Sequence, residues 1–105
     1  MVRPRRTEDR ITKRFDIRFH IGGKTYEATT SNLSPHGLFI RTKHCFKAGA
    51  KIRMELTLAE GNILFLEGTV RRAILTRLAV VKNGMGVELN NPEGQYLDLV
   101  AELDR

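Results

Sequence analysis

Residues 31–37 read Ser31-Asn32-Leu33-Ser34-Pro35-His36-Gly37 and join two β-like runs. Before them, Thr25 to Thr30 is rich in threonine and includes Tyr26; after them, Leu38-Phe39-Ile40 is continuous and apolar. Asn32 and Ser34 can bond nearby backbone groups, Pro35 pre-sets φ, and Gly37 tolerates a positive φ. The segment therefore reads as a turn between strands. Asn32 and Ser34 are two apart, so in an extended chain they point the same way. A polar pair on one side, followed by a glycine, can present amide and hydroxyl groups to a ligand.

Upstream of this turn, Phe15, Ile17, Phe19 and Ile21 alternate with Asp16, Arg18 and His20, the pattern of a strand with one buried face. Gly22-Gly23 is a two-residue hairpin signal, and the returning strand spans about Lys24 to Ser31. Downstream, strands are expected over Leu38 to Thr42, Ile52 to Leu56, Ile63 to Ile74 and Met85 to Leu89. Lys43 to Gly49 reads as a polar loop, Glu60-Gly61-Asn62 as a turn and Asn83-Gly84 as a hairpin turn. Leu75 to Val81 either continues the long strand or forms a separate short segment. Gly68 inside that strand marks a bulge or a bend. Near the end, Asn91 can cap a helix and Pro92 suits its first position. Tyr96, Leu99, Val100 and Leu103 then recur at helical spacing, so an amphipathic helix should pack on the strands. Strand and turn spacing of this kind points to a mainly β fold, an antiparallel barrel or sandwich. Residues 15–105 form its body, and residues 1–14 form an exposed, flexible basic arm with little apolar anchorage.

The 105 residues fit one domain, with an ordinary balance of 41% hydrophobic and 29% charged residues. No apolar run reaches membrane-spanning length, and the basic N-terminus lacks the apolar core of a secretory signal. Cys45 has no second cysteine to pair with, which suits the cytoplasm. Neither it nor His20, His36 and His44 form a zinc spacing. Residues 1–18 hold seven basic and three acidic residues, a local charge of +4 within a total of +6. Charge so concentrated favours a compact anion over a long polymer.

Nothing in the sequence assembles a catalyst. His36 stands two residues from Ser34 without being set against its hydroxyl, Asp98 and Glu102 share a solvated helical face, and no phosphate-cradling glycine loop follows a strand. The arginines suit binding. A guanidinium grips phosphate through a planar fork, pairs with the O6/N7 edge of guanine, and stacks on bases.

Arg5-Arg6-Thr7-Glu8-Asp9-Arg10 contains RxxxR, and Asn32-Leu33-Ser34-Pro35-His36-Gly37 reads (D/N)xSxxG. In this order, with one hairpin between them, the two motifs resemble those of the PilZ domain, a small six-stranded barrel that binds the second messenger cyclic di-GMP. The resemblance extends through the Gly22-Gly23 hairpin, the Gly68-Thr69-Val70 strand and the Gly84-Met85-Gly86-Val87 strand. It implies that Arg6 and Arg10 grip guanine and phosphate with Arg5 as helper, that Asn32 and Ser34 contact a guanine base, and that Gly37 keeps the turn tight. Arg10 and Arg14 also read RxxxR, which makes Arg14 an additional candidate. Asn32 lies within the family pattern but carries no carboxylate for guanine N–H groups.

The resulting expectation is a non-enzymatic cyclic di-GMP receptor with no cofactor or metal. Ligand binding would order its arm and change the surface shown to a protein partner. Two alternatives accompany it. One is a PilZ-like adaptor that does not bind the nucleotide. The other is a barrel for single-stranded nucleic acid, disfavoured because Phe15, Phe19, Tyr26, Phe39 and Phe65 mostly fit buried strand positions and leave no stacking platform.

Overall fold

The computed structural model describes residues 11–12, 14–58, 61–77, 83–92 and 94–103. Arg5, Arg6 and Arg10 lie outside the described residues, as does part of the expected 75–81 segment. The elements are β1 (Ile11–Thr12), β2 (Asp16–Ile21), β3 (Lys24–Ser34), β4 (Gly37–Arg41), β5 (Lys51–Thr57), β6 (Ile63–Ile74), β7 (Gly84–Leu89) and α1 (Gly94–Leu103). All pairings are antiparallel. The order β3-β2-β5-β6-β7-β4 closes because β4 also pairs with β3. Six strands thus form a barrel, and β1 adds two residues alongside β3. Closure satisfies the strand edges that an open sheet would leave exposed.

The period-two pattern of the sequence fills the interior. Ile17 and Phe19 from β2, Ile52, Met54 and Leu56 from β5, and Leu64, Leu66 and Val70 from β6 are all buried in one cluster. Tyr96 and Val100 of α1 join it, with Leu99 and Leu103 partly buried beside them, so the helix docks through the face its spacing marked out. Gly22 and Gly23 both have left-handed φ, as the tight β2–β3 hairpin requires.

Several expectations are corrected. β3 runs to Ser34, three residues beyond its expected end, and leaves only Pro35 and His36 between strands. The cause is a bulge at Ser31, where the β3–β4 register steps from Thr30↔Ile40 to Asn32↔Phe39. The extra residue resets the alternation and turns Leu33 into the core. Asn83-Gly84 is not the hairpin turn, because Gly84 already pairs with Ile74 as the first residue of β7. Asn83 is buried and closes the longer connection, its Oδ1 accepting from the Thr76 amide at 2.7 Å. The bulge in β6 falls between Val70 and Arg72, just past Gly68. Asn91 has a φ of 47°, a left-handed value unlike that of an N-cap, and the helix begins at Gly94. Phe65 is 76% exposed, on the outer face of β6.

Candidate functional site

The β3–β4 turn is built from its own hydroxyl. The Ser34 Oγ accepts from the amides of Gly37 at 3.2 Å and His36 at 3.3 Å, and donates to the Gly37 carbonyl at 3.3 Å. These three bonds lie within the turn, so the Ser34 hydroxyl holds the loop in shape. Gly37 does not have a left-handed φ. Its requirement is space: a Cβ there would stand 2.1 Å from the Val87 carbonyl oxygen of β7. Glycine therefore lets β4 approach β7 closely, which replaces the φ argument made from the sequence.

Across the outer barrel wall the register forms two rows. Asn32 pairs with Phe39, Phe39 with Gly86, and Gly86 with Arg72. The next row runs Ser34, Gly37, Glu88 and Thr69. Phe39 lies outside the main core cluster, its ring against the backbone of Gly84 and Gly86, where a side chain at either position would meet it. The Arg72 side chain crosses the open face of Gly86. Between the rows is a shallow depression of about 310 Å³ lined by Ser34, Gly37, Phe39, Arg71, Arg72 and Glu88, among others. Arg71 pairs with Glu88, while Arg72 makes no ion pair with a described carboxylate. The depression thus offers a guanidinium, a paired carboxylate and an aromatic edge beside a polar turn.

The structure brings Asn32, Ser34 and Gly37 onto one stretch of wall. β1 runs against the same stretch, with Ile11 opposite Leu33 and Thr12 opposite Asn32. Arg14 is exposed and lies beyond Thr12, where Phe15 bonds Thr30 through its amide at 3.0 Å, leading away from Ser34. Sequence reasoning missed Arg71, Arg72 and Glu88. The signal was available: two consecutive arginines break the alternation of β6, as a bulge does, and Gly84 and Gly86 strip one face of β7.

Elsewhere, Cys45 sits near the carbonyls of Thr42, Ile74 and Gly84, and burial pushes its thiol pKa up, which describes a packed residue. Among the described residues no group of His, Cys, Asp or Glu could hold a metal ion, and no helix is long and apolar enough to cross a membrane.

These features define a closed antiparallel barrel with a helix packed on it and a polar, arginine-flanked turn on its wall. The chain belongs to the PilZ domain family, whose profile matches residues 4–104. Its fold is similar to that of the Bacillus subtilis inhibitor of motility (MotI/DgrA), with a TM-score of 0.75 and 18% identity over 94% of this chain. The match covers 48% of that protein, so this chain spans about half its length. It is also similar to the PilZ domain of CeSA from a cellulose-synthesizing bacterium, with a TM-score of 0.70, 16% identity, and coverage of 91% of this chain and 98% of that one. No curated protein is significantly similar in sequence.

Proposed function

We propose that this protein is a cytoplasmic, non-catalytic receptor for cyclic di-GMP. Arg6 and Arg10, helped by Arg5, would hold guanine and phosphate over the wall formed by Asn32, the Ser34–Gly37 turn and Arg72. The observation that carries this reading is the β1–β3 register: Ile11 and Thr12, which directly follow the arginine motif in sequence, pair with Leu33 and Asn32 of the strand that leads into the turn. A guanidinium fork suits both the guanine edge and phosphate. Asn32 brings no carboxylate to the guanine N–H groups, and Glu88, opposite Gly37, is the acidic group nearest in register to supply one. Ordering of the arm on binding would alter the surface met by a protein partner.

A second reading, a protein adaptor that does not bind the nucleotide, draws on Phe65. That ring, with Ile63 on the same face of β6, leaves apolar area in solvent. The nucleic-acid reading gains little from it. Phe19 is buried, and Tyr26 stacks on it at 5.1 Å and also meets His44 and Phe46. One exposed ring makes no stacking track.

Calorimetric titration with cyclic di-GMP, with GMP as control, tests the proposal. Arg10→Ala and Arg6→Ala each remove a charge-assisted contact, worth roughly 1.5–3 kcal/mol, or on the order of tenfold to a hundredfold in affinity. Arg14→Ala should weaken binding about twofold or less, through screened attraction alone. A large loss at Arg14 with none at Arg6 would assign the pair to Arg10 and Arg14. No binding by the parent would hand the function to the adaptor reading.

A further inference from the structure

The Tyr96 hydroxyl joins helix α1 to the turn. It lies 2.8 Å from the Ser34 carbonyl and 2.9 Å from the Gly37 carbonyl, so one phenolic proton is shared between the two ends of the β3–β4 turn. The side chain is 1% exposed, and burial pushes its phenol pKa well up, which keeps the proton in place. Ser34 and Gly37 are already tied to each other through the Ser34 hydroxyl. Tyr96 adds the only side-chain hydrogen bonds, among those described, that run from α1 to the barrel. The rest of the contact between helix and barrel is apolar, through Val100, Leu99 and Leu103. Apolar packing tolerates small sliding, whereas two short hydrogen bonds fix direction and distance.

We propose that Tyr96 is a positioning residue that couples the turn to helix α1, so that a ligand held at the turn tightens the docking of the helix, and a docked helix pre-forms the turn. This rests on the functional reading above for the identity of the ligand, though not for the coupling itself. The physical basis is reciprocal linkage. A turn whose two carbonyls are held by α1 populates its binding geometry more fully, and ligand that selects this geometry must favour the docked helix by the same factor. The helix would thereby carry the state of the turn to its solvent face, where Leu97 and Gln95 are exposed.

The test uses the full chain and two substitutions. Tyr96→Phe removes one hydroxyl and keeps the ring. Leu99→Ala removes apolar docking contact of the helix and none of the turn's hydrogen bonds. With cyclic di-GMP as probe, Tyr96→Phe should weaken binding about threefold to tenfold, the scale of one net hydrogen bond. Leu99→Ala should also weaken it, although Leu99 takes part in none of the turn's hydrogen bonds. Hydrogen exchange gives the decisive readout. In the parent, saturating nucleotide should slow exchange of the α1 amides; in Tyr96→Phe at saturation that slowing should disappear. Unchanged affinity in both variants, with α1 protection intact in Tyr96→Phe, would overturn the coupling while leaving the receptor reading in place. If the parent fails to bind the nucleotide, the receptor reading falls, and the coupling is judged in the free protein. There Tyr96→Phe should speed exchange at His36 and Gly37 together with α1, and faster exchange confined to α1 would overturn it.

Discussion

Replacing Gly37 with alanine would put a Cβ 2.1 Å from the Val87 carbonyl oxygen. Ordinary carbon–oxygen contacts begin above about 3.3 Å, so the two strands must part by roughly 1 Å. Both clashing groups belong to the backbone or are fixed to it, and no rotamer relieves the contact. The pairs Gly37↔Glu88 and Leu38↔Val87 sit at the end of the β4–β7 ladder and would open first. Overpacking costs about 1–3 kcal/mol, and each ladder hydrogen bond lost adds about 1 kcal/mol, giving roughly 2–4 kcal/mol. In a domain of this size each kcal/mol lowers Tm by about 4–8 °C, so Gly37→Ala should melt on the order of 10–25 °C below the parent. Gly86→Ala is the matched control, since its Cβ would crowd the flexible Arg72 side chain at 3.3 Å and touch the Phe39 ring at an ordinary 3.8 Å, meeting no backbone. It should cost under about 1 kcal/mol. Thermal unfolding followed by circular dichroism compares the two. Melting of Gly37→Ala within a few degrees of Gly86→Ala would refute the close-approach argument.

The interior and the helix make further predictions. Val100→Asp should destabilise by about 3 kcal/mol or more in urea, because it buries an unpaired carboxylate, whereas Leu99→Asp, at a half-buried position, should cost clearly less. Stability should also fall in alkali. The Tyr96 phenol is raised in the folded state relative to an unfolded tyrosine near pH 10. Its favourable burial is therefore complete below about pH 10 and is lost progressively above it. Denaturant melts from pH 8 to 11 should decline less steeply for Tyr96→Phe than for the parent.

The sequence and the structure part company where local rules meet close packing. Strict alternation made β2, β5 and β6 and their inward residues legible, because one buried face admits only one register. The helix face was legible for the same reason at helical spacing. Three kinds of feature were not. A bulge moves an outward residue inward, so Ser31 hid the true end of β3, and the bulge at Arg71 lay past the glycine that suggested one. Glycine at Gly37 and Gly84 answers to a neighbouring strand far away in sequence, which no local turn rule contains. Phe65 reads as core by composition, yet its position opposite Glu55 on β5 puts it on the solvent side. The site was legible as two motifs, while the wall between them, with Phe39, Arg72 and Glu88, depended on which strands became neighbours. Tyr96 carried a faint clue, a hydroxyl on an otherwise aliphatic helix face.

The short pairing of Ile11 with Leu33 fixes one point of the chain beside the turn. Under the proposed function, this makes the arginines ahead of it tethered groups whose encounter with a nucleotide is set by an effective concentration, in the millimolar range for a short flexible tether. That concentration depends on the chain length between each arginine and the anchor, and falls roughly as the −3/2 power once the tether exceeds the span. A flexible spacer inserted between Arg10 and Ile11 would therefore dilute the guanidiniums without changing any side chain that touches ligand. Sensitivity to the second messenger would then be adjustable through tether length alone.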